Sequence, residues 1–216
     1  MAAQAAFFVM SQIELLSSDQ TNLSHAKVRG FKVEHCDLDS VKRLIEAWHY
    51  SGSVNGLRVS HCFRLLGHNQ LLGGMVYGGL GMANAWKKYA DKEEDVLELR
   101  RLACIDDAPR NSESFFVGRS LRWLKKHTNV KTIVSYADAH YGHSGTIYKA
   151  SNFSYAGMTA KSKVIQYNGQ SYHDKTIRTT YKGRLKPFAQ EIKDALDSGL
   201  AQYEERAPKH IFIYEF

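Results

Sequence analysis

The chain has 216 residues, 44% hydrophobic and 24% charged, a size and composition typical of a globular domain with a real core. No apolar run approaches the ~20 residues of a membrane-spanning helix, so no membrane association is expected. The net charge of +7 and isoelectric point near 9.2 exclude an acidic mimic of DNA. They favour a polyanionic partner such as nucleic acid, although a basic soluble surface would also account for them.

The three cysteines and the N-terminus indicate the compartment. The cysteines are far apart and form no CxxC motif, which predicts buried thiols in a reducing cytoplasm. The opening MAAQAAFFVM has no basic segment before a short apolar stretch. Residues 1–25 are therefore interpreted as a loosely ordered N-terminal extension and not as a secretory signal.

The periodicity of apolar residues predicts alternating strands and helices. Alternation predicts strands over 31–37, 58–66, 70–79, 96–105, 131–138 and 210–216, and a hairpin over 163–173 that turns at Asn168-Gly169. Apolar stripes predict helices over 38–50, 113–127, 144–152 and 186–199, with Val41, Leu44, Ile45 and Trp48 on one face of the first.

This order of elements predicts an α/β or α+β fold. A central mixed, mostly antiparallel sheet would be flanked by helices. No segment has the composition of a linker, so residues 1–216 are predicted to form a single domain.

Polar side chains cluster after the apolar strand that ends at Asp138. The stretch YADAHYGHSGTIYKASNF places Asp138, His143 and Tyr148 around two glycines, a common way to build a site at a strand end. Asp138 could accept a proton or ligate a metal, or simply cap the next helix. Tyr148 could be part of the site or an ordinary core tyrosine.

A second candidate segment is the end of the first helix. His49 could be a base, a metal ligand or only a capping residue, and Tyr50 a hydroxyl donor or a stacking partner. Arg100 and Arg101 are neighbours in a strand and must point to opposite faces, so one should face a ligand or cleft and the other should pair with Glu98 or Glu113.

Residues 96–157 resemble the GNAT superfamily of N-acyltransferases. The stretch GTIYKASNFSYAG is similar to the family's tyrosine motif, which implies that Tyr148 is a general acid beside the thioester of an acyl donor. The resemblance implies that acetyl-CoA or a related acyl donor binds at Ala103, Cys104, Phe116, Val117, Gly118, Arg119 and Ser120. Phe116 and Glu113 depart from the family's glycine-rich turn, in which bare amides hold the pyrophosphate.

Three longer blocks resemble the phage Mom family, which has a GNAT-like core: WHYSGSV, LELRRLACIDDAPRNSESFFVGRSLRWL and YADAHYGHSGTIYKASNFSYAG. This resemblance implies conversion of adenine in phage DNA to N6-carbamoylmethyladenine, which protects the DNA from host restriction endonucleases. The implied catalytic residues are His49, Tyr50, Arg101, Ser114, Asp138 and Tyr148.

The implied product also motivates a metal. The carbamoylmethyl group is joined to N6 through an alkyl carbon, a bond that plain acyl transfer does not make. Iron held by His49, Tyr50 and Asp138 is therefore a hypothesis, since these are suitable iron ligands.

The implied partner is double-stranded DNA from which the adenine is flipped. Basic clusters can contact the phosphates, and those flanking the predicted hairpin are favoured: Lys161, Lys163, Lys182, Arg184 and Lys186. The implied location is the host cytoplasm, and a homodimer is left open. A conventional acetyl-CoA-dependent N-acetyltransferase acting on a protein or small amine is the alternative, and a non-catalytic DNA-binding protein is the third hypothesis.

Overall fold

The computed structural model describes residues 28–216. The predicted N-terminal extension, residues 1–25, lies outside the described residues. The described α-helices are α1 (Asp39–Trp48), α2 (Ser112–His127), α3 (Thr146–Ala150) and α4 (Pro187–Asp197). Within the same residues, the strands are β1 (Lys32–Cys36), β2 (Val59–Gly67), β3 (Gln70–Gly78), β4 (Val96–Cys104), β5 (Thr132–Asp138), β6 (Ser154–Met158), β7 (Ser162–Tyr167), β8 (Gln170–His173), β9 (Gln202–Arg206) and β10 (Lys209–Glu215).

Seven strands form one sheet in the order β1-β2-β3-β4-β5-β10-β6. The β1–β2, β2–β3 and β3–β4 pairs are antiparallel. β4 and β5 run parallel, from Val96 opposite Thr132 to Leu99 opposite Ser135. The remaining strands form an antiparallel sheet in the order β8-β7-β9. The predicted fold class, a mixed and mostly antiparallel sheet flanked by helices, is confirmed.

The chain divides into two units, each with its own internal contacts. Of the described residues, the first unit contains 28–135, 145–155 and 212–216, and the second contains 136–144 and 156–211. The single domain over 1–216 stays a prediction. None of the helices in the described chain is long and apolar enough to cross a membrane.

In the first unit, α1 and α2 cover opposite faces of β3. A Cβ on Gly74 would lie 2.9 Å from the Val41 side chain of α1, and one on Gly73 would lie 3.3 Å from the Phe116 ring of α2. Neighbouring strand residues face opposite sides of a sheet, so these two glycines let both helices approach closely.

One predicted core residue of α1 is not buried. Val41, Leu44 and Ile45 are buried as expected, but Trp48 is 40% exposed. Trp48 is the last residue of α1, because the backbone of His49 turns to an extended conformation (φ −90°, ψ 134°). The apolar pattern in the sequence therefore extends to Trp48, whereas the buried face of the helix ends at Ile45.

The second unit is built around β7 and α4. Its core contains Ile165 of β7, Ile192 and Ala195 of α4, and Ala201. The predicted turn at Asn168-Gly169 is confirmed, with Tyr167 paired to Gln170 and φ values of 48° and 72°. β9 was not predicted, since its sequence QYEER carries no alternation of apolar residues.

Candidate active site

His49 and Tyr50 lie directly after α1, at the start of the loop that leads to β2. The N–H of His49 still donates to the carbonyl of Ile45 (2.9 Å), so His49 is tied to the helix end. The two rings stack, with centroids 4.3 Å apart and planes inclined by 30°. Tyr50 is 43% exposed. Together the rings present an aromatic surface that solvent can reach.

Local hydrogen bonds orient the His49 ring. Its Nδ1 accepts from the backbone N–H of Ser51 at 3.1 Å and lies 2.9 Å from the Ser51 hydroxyl. Because Nδ1 is the acceptor, the neutral ring carries its proton on Nε2. The turn therefore arranges His49 as a hydrogen-bond donor through Nε2.

Arg101 ties this loop to β4. Its Nε donates to the carbonyl of Ser53 at 3.0 Å, and its guanidinium also donates to the carbonyl of Arg100 at 2.7 Å. Burial lowers the pKa of Arg101, while the neighbouring Tyr50 opposes that effect. Arginine remains protonated in proteins, so Arg101 is a half-buried cation that interacts electrostatically with Tyr50.

Arg100 has a different partner, Glu98. Its Nη1 lies 2.8 Å from Glu98 Oε2, and both side chains are largely buried, at 16% and 13% exposed. Glu98 Oε2 also accepts from the N–H of Gly81 at 3.2 Å. Sequence alone left open which arginine meets Glu98 and which faces a neighbouring loop; the structure assigns Glu98 to Arg100 and the His49–Ser53 loop to Arg101.

Tyr148 lies in α3 and belongs to the same unit as His49 and Arg101. Its ring packs against Phe153 and Phe212, with centroid distances of 5.5 and 5.3 Å. Gly145 caps α3 at a φ of 77°, and a Cβ there would lie 2.1 Å from the Phe212 ring. Only glycine allows this approach. The left-handed conformation of Gly145 also keeps it outside the helix, so α3 begins at Thr146 and not at the predicted residue 144.

The Tyr148 hydroxyl is kept protonated by its surroundings. Burial raises the pKa of Tyr148 to about 12, against the opposing effect of a hydrogen bond with Ser135; Tyr50 and Glu98 raise it further. Tyr50 and Glu98 are therefore close enough to Tyr148 to interact with it electrostatically. A phenol with a raised pKa is a weaker acid, but it stays protonated at neutral pH and is therefore available as a hydrogen-bond donor and not as a base.

Asp138 lies at the end of β5 and belongs to the second unit. One carboxylate oxygen accepts from the N–H of His140 at 3.1 Å, so the side chain does cap the turn that follows. The other lies 2.8 Å from Lys209 Nζ, and the side chain is 9% exposed. Convergence of Asp138 with His49 and Tyr148 in one pocket stays a prediction.

The residues predicted to bind the acyl donor lie around the start of α2. Asn111 occupies the N-cap position with a φ of 71°, and Ser112 is fully buried with no hydrogen-bond partner for its hydroxyl among the described residues. Ser114, one of the implied catalytic residues, lies inside the first turn and donates to the Asn111 carbonyl at 3.2 Å. The helix begins one residue before the predicted start at 113, because Asn111 takes the N-cap position in a left-handed conformation.

Several predicted donor-binding residues contribute to the core through their side chains. Phe116, Val117 and Ser120 are fully buried, and the Ser120 hydroxyl lies 2.8 Å from that of Tyr77. A ligand could meet these residues only through backbone atoms. A Cβ on Gly118 would meet no atom within 4 Å, so space is available there.

The other residues predicted to bind the acyl donor differ in exposure. Ala103 is buried, Cys104 is half-buried and Arg119 is exposed. The Arg119 guanidinium lies 5.3 Å from the Phe115 ring centroid. Amides and the dipole of α2, with Arg119 nearby, suit an anion such as the phosphates of an acyl donor, whereas Glu113 in the first turn opposes it.

The proposed iron ligands do not fit a metal ion as the structure arranges them. His49 and Tyr50 stack face to face, the His49 Nδ1 is bonded to Ser51, and Asp138 is bonded to Lys209 and His140. In the described part of the chain, no group of three His, Cys, Asp or Glu residues could hold a metal. We therefore derive no chemical step through iron.

The predicted DNA-contacting residues all belong to the second unit and are exposed: Lys161, Lys163, Lys182, Arg184 and Lys186. Lys182 and Arg184 lie in a tight turn closed by two hydrogen bonds between Tyr181 and Arg184.

Two neighbours of the predicted residues were not selected from the sequence: Ser135, which bonds Tyr148, and Lys209, which pairs with Asp138. Glu98 was selected only as a partner for Arg100 or Arg101, and it also raises the pKa of Tyr148. A polar Ser135 inside the apolar strand TIVSYAD was a usable signal, since a buried hydroxyl needs a partner. Lys209 gave no local signal, because its partner is distant in the sequence.

Comparison with known proteins identifies a relative in a bacteriophage. The chain is 27% identical over 158 residues to a protein named methylcarbamoylase mom from Escherichia phage Mu, covering 72% of this chain. The chain spans 65% of the length of that relative.

Among solved structures, the chain is similar to an acetyltransferase from Bacillus subtilis in complex with CoA, with a TM-score of 0.47, 11% identity and coverage of 86% of this chain and 99% of that one. It is also similar to the ribosomal-protein-S18-alanine N-acetyltransferase from Escherichia coli, with a TM-score of 0.47, 13% identity and coverage of 86% and 93%.

The family comparison covers nearly all of the described chain. The model of the Mom protein family matches residues 30–215, which include α1, the β4–α2 segment and the β5–α3 segment. These are the three segments that carry the candidate site. The chain therefore belongs to the Mom protein family.

Proposed function

We propose that this protein is a transferase that converts adenine in phage DNA to N6-carbamoylmethyladenine and so protects the DNA from host restriction endonucleases. The observation that carries the proposal is the family match over residues 30–215, together with the phage relative named a methylcarbamoylase. The proposed setting is the cytoplasm of the infected host, with double-stranded DNA as the partner.

The His49–Tyr50 pair is proposed to receive the flipped adenine. Enzymes that modify a base commonly extrude it from the stack and hold it against aromatic side chains. The exposed Tyr50 ring offers such a surface, and His49 offers an Nε2–H donor for an acceptor nitrogen of the purine. Arg101 holds the loop that carries both residues through its bond to Ser53.

Proton movements are assigned to Tyr148 and Asp138. For a donor that carries its leaving group on the methylene of a carbamoylmethyl group, N6 displaces that group, and the neutral Tyr148 phenol is proposed to donate a hydrogen bond to it as the bond between the methylene and the leaving group breaks. Asp138 is proposed to accept the proton that N6 loses when the new bond between N6 and that carbon forms. In this assignment Lys209 holds the carboxylate in position.

The donor is proposed to bind at the start of α2. Transfer from acetyl-CoA alone would join N6 to a carbonyl carbon and supply no amide nitrogen, so the donor is proposed to be a related compound that carries a carbamoylmethyl group with a leaving group on its methylene. The backbone amides of the first turn, Arg119 and the open space at Gly118 support this placement. When bound, the donor supplies an activated carbon. The residues of this protein hold the anionic end of the donor and place its leaving group within reach of the Tyr148 hydroxyl.

The test is nucleoside analysis of plasmid DNA from bacteria that express the protein. Mass spectrometry should show deoxyadenosine heavier by one carbamoylmethyl group in place of a hydrogen. His49→Ala and Asp138→Asn should leave the DNA unmodified while the purified variants keep the wild-type circular dichroism spectrum. Unmodified DNA from folded wild-type protein would contradict the proposal.

Two further measurements separate the alternatives. Release of free CoA in the presence of small amines or proteins, with no change in the DNA, would favour a conventional N-acetyltransferase. Elemental analysis of the active protein tests the iron hypothesis, and full activity of metal-free protein would reject it.

A further inference from the structure

The turn between Tyr181 and Arg184 combines exposure, positive charge and backbone strain. The N–H of Tyr181 donates to the Arg184 carbonyl at 2.7 Å, and the N–H of Arg184 donates back to the Tyr181 carbonyl at 3.1 Å. Lys182 and Gly183 between them have φ values of 51° and 77°. Two positive φ values inside a paired turn are the signature of a type I′ hairpin turn.

Lys182 is an unfavourable residue for its position. Such turns favour Asn, Asp or Gly at the first central residue, because a lysine side chain has no compensating local hydrogen bond. The same unit has a turn of nearly the same conformation with the favoured pair, Asn168-Gly169, at φ values of 48° and 72°. A lysine at a strained and exposed position points to a use for its charge.

The neighbouring aromatic rings are also exposed. Tyr181 is 65% exposed and Phe188, in the first turn of α4, is 51% exposed. The Lys182 ammonium lies 5.6 Å from the Tyr181 ring centroid. A tyrosine at the tip of a turn adds little to a core, so its ring is available to a partner.

The charge around this turn has one sign. Residues 175–190 contain five Lys or Arg residues and no Asp or Glu: Lys175, Arg178, Lys182, Arg184 and Lys186. Arg178 is paired with Asp174, just outside the segment. The three cations closest to the turn in sequence, Lys182, Arg184 and Lys186, are all exposed. This pattern of cations interleaved with aromatic rings suits a polyanion that carries flat groups, which is the chemistry of a nucleic acid.

We propose that the Tyr181–Arg184 turn is a DNA-contacting tip, in which Lys182 and Arg184 bind backbone phosphates and the Tyr181 ring stacks on a base exposed from the helical stack. The paired backbone of the turn keeps the ring and the cations in a fixed arrangement. The choice of DNA as the partner rests on the proposed function.

Binding to fluorescently labelled duplexes tests the tip. The duplexes carry either normal pairs or one mispaired 2-aminopurine in place of adenine. Tyr181→Ala should lower the affinity about tenfold, within the range that base stacking on an aromatic side chain provides, and should reduce the change in 2-aminopurine fluorescence on binding. Tyr181→Phe should retain both, since the ring is kept.

Lys182→Asn separates function from stability. It converts the turn to the favoured Asn-Gly pair, so thermal stability should stay equal or rise. The slope of log affinity against log salt concentration should become shallower by about one phosphate contact, ~0.9. Lys193→Gln removes the same charge from the exposed surface of α4 and should leave affinity and slope unchanged.

The proposal is overturned if Tyr181→Ala and Lys182→Asn bind both duplexes like the wild-type protein. It is also overturned if Lys193→Gln weakens binding as much as Lys182→Asn, because the effect is then one of net charge. Nucleoside analysis is a separate measurement. If the Tyr181→Ala and Lys182→Asn variants still modify DNA and bind it like the wild type, only this inference is contradicted. If the wild-type protein binds DNA without modifying it, only the proposed activity is contradicted.

Discussion

At the scale of single residues, the candidate site depends on the protonation of Tyr148 and on the glycine that positions it. Burial dominates the Tyr148 pKa, and its hydrogen bond with Ser135 does not offset that effect. The hydroxyl therefore keeps its proton throughout the neutral range. This argues for a donor at this position and against a base.

Tyr148→Phe should abolish DNA modification and leave the fold intact, because only the hydroxyl is removed and both aromatic contacts remain. In the wild-type protein, modification should not decline as the pH passes ~10, where an ordinary tyrosine ionises, since this pKa is raised to about 12. Initial rates across an alkaline pH series would measure this. Tyr167→Phe, which removes a hydroxyl bonded to Glu191 in the second unit, is the matched control.

Gly145→Ala should destabilise the protein more than Gly56→Ala. Both glycines have a positive φ, 77° and 73°, so both substitutions carry a backbone strain of ~1–2 kcal/mol. Only at Gly145 would the new Cβ also overlap the Phe212 ring, at 2.1 Å, whereas at Gly56 it meets no atom within 4 Å. Urea unfolding of the two variants gives the difference, and equal loss would show that Phe212 moves aside without penalty.

At the scale of elements, α2 meets the first strands through a stack of aromatic and histidine rings. The His35 ring lies parallel to Trp123 at 4.4 Å, and Trp123 stacks on His127 at 4.5 Å. His61 Nδ1 lies 3.3 Å from His35 Nε2, and its ring meets Trp123 edge-on. This cluster joins β1 and β2 to the helix whose first turn is the proposed donor site.

The cluster predicts a loss of stability in mild acid. Burial, and then the neighbouring His35, lower the pKa of His61 in the folded protein. Below the unfolded pKa of ~6.5 the unfolded chain binds the proton more readily, so stability should fall as the pH drops through that value and level off below the folded pKa.

His61→Gln should reduce this pH dependence of unfolding. The denaturation midpoint would be compared with the wild type at neutral and mildly acidic pH. His173 in the second unit also has a pKa lowered by burial and remains in both proteins, so only the difference between them reports on His61. If the two proteins lose stability equally in mild acid, the cluster is not the cause of that loss.

At the scale of the whole molecule, the net charge of +7 predicts DNA binding that depends steeply on salt. Each phosphate contact releases a counterion, so log affinity should fall linearly with log salt concentration, with a slope of ~0.9 per contact on duplex DNA. Titrations of a duplex at several salt concentrations measure the slope. A flat dependence would mean that phosphates are not the main contacts of this basic surface.

The sequence by itself determined the fold class, one turn and the family resemblance. Alternation and helical periodicity predicted the fold class, the Asn168-Gly169 turn and the buried Val41, Leu44 and Ile45 of α1, because these depend on local pattern. The family resemblance rested on contiguous blocks, and the family model matches the segments that contain them. Charge and composition pointed to a polyanionic partner before any contact was known.

Only the tertiary structure decided which polar groups meet. It paired Arg100 with Glu98 and Arg101 with Ser53, joined Asp138 to Lys209, and left Trp48 exposed where α1 stops. It also showed that Phe116 and Ser120 contribute side chains to the core. The physical reason is that side-chain partners come from chain segments far apart in sequence, whereas periodicity reports only the local distribution of apolar residues along one element.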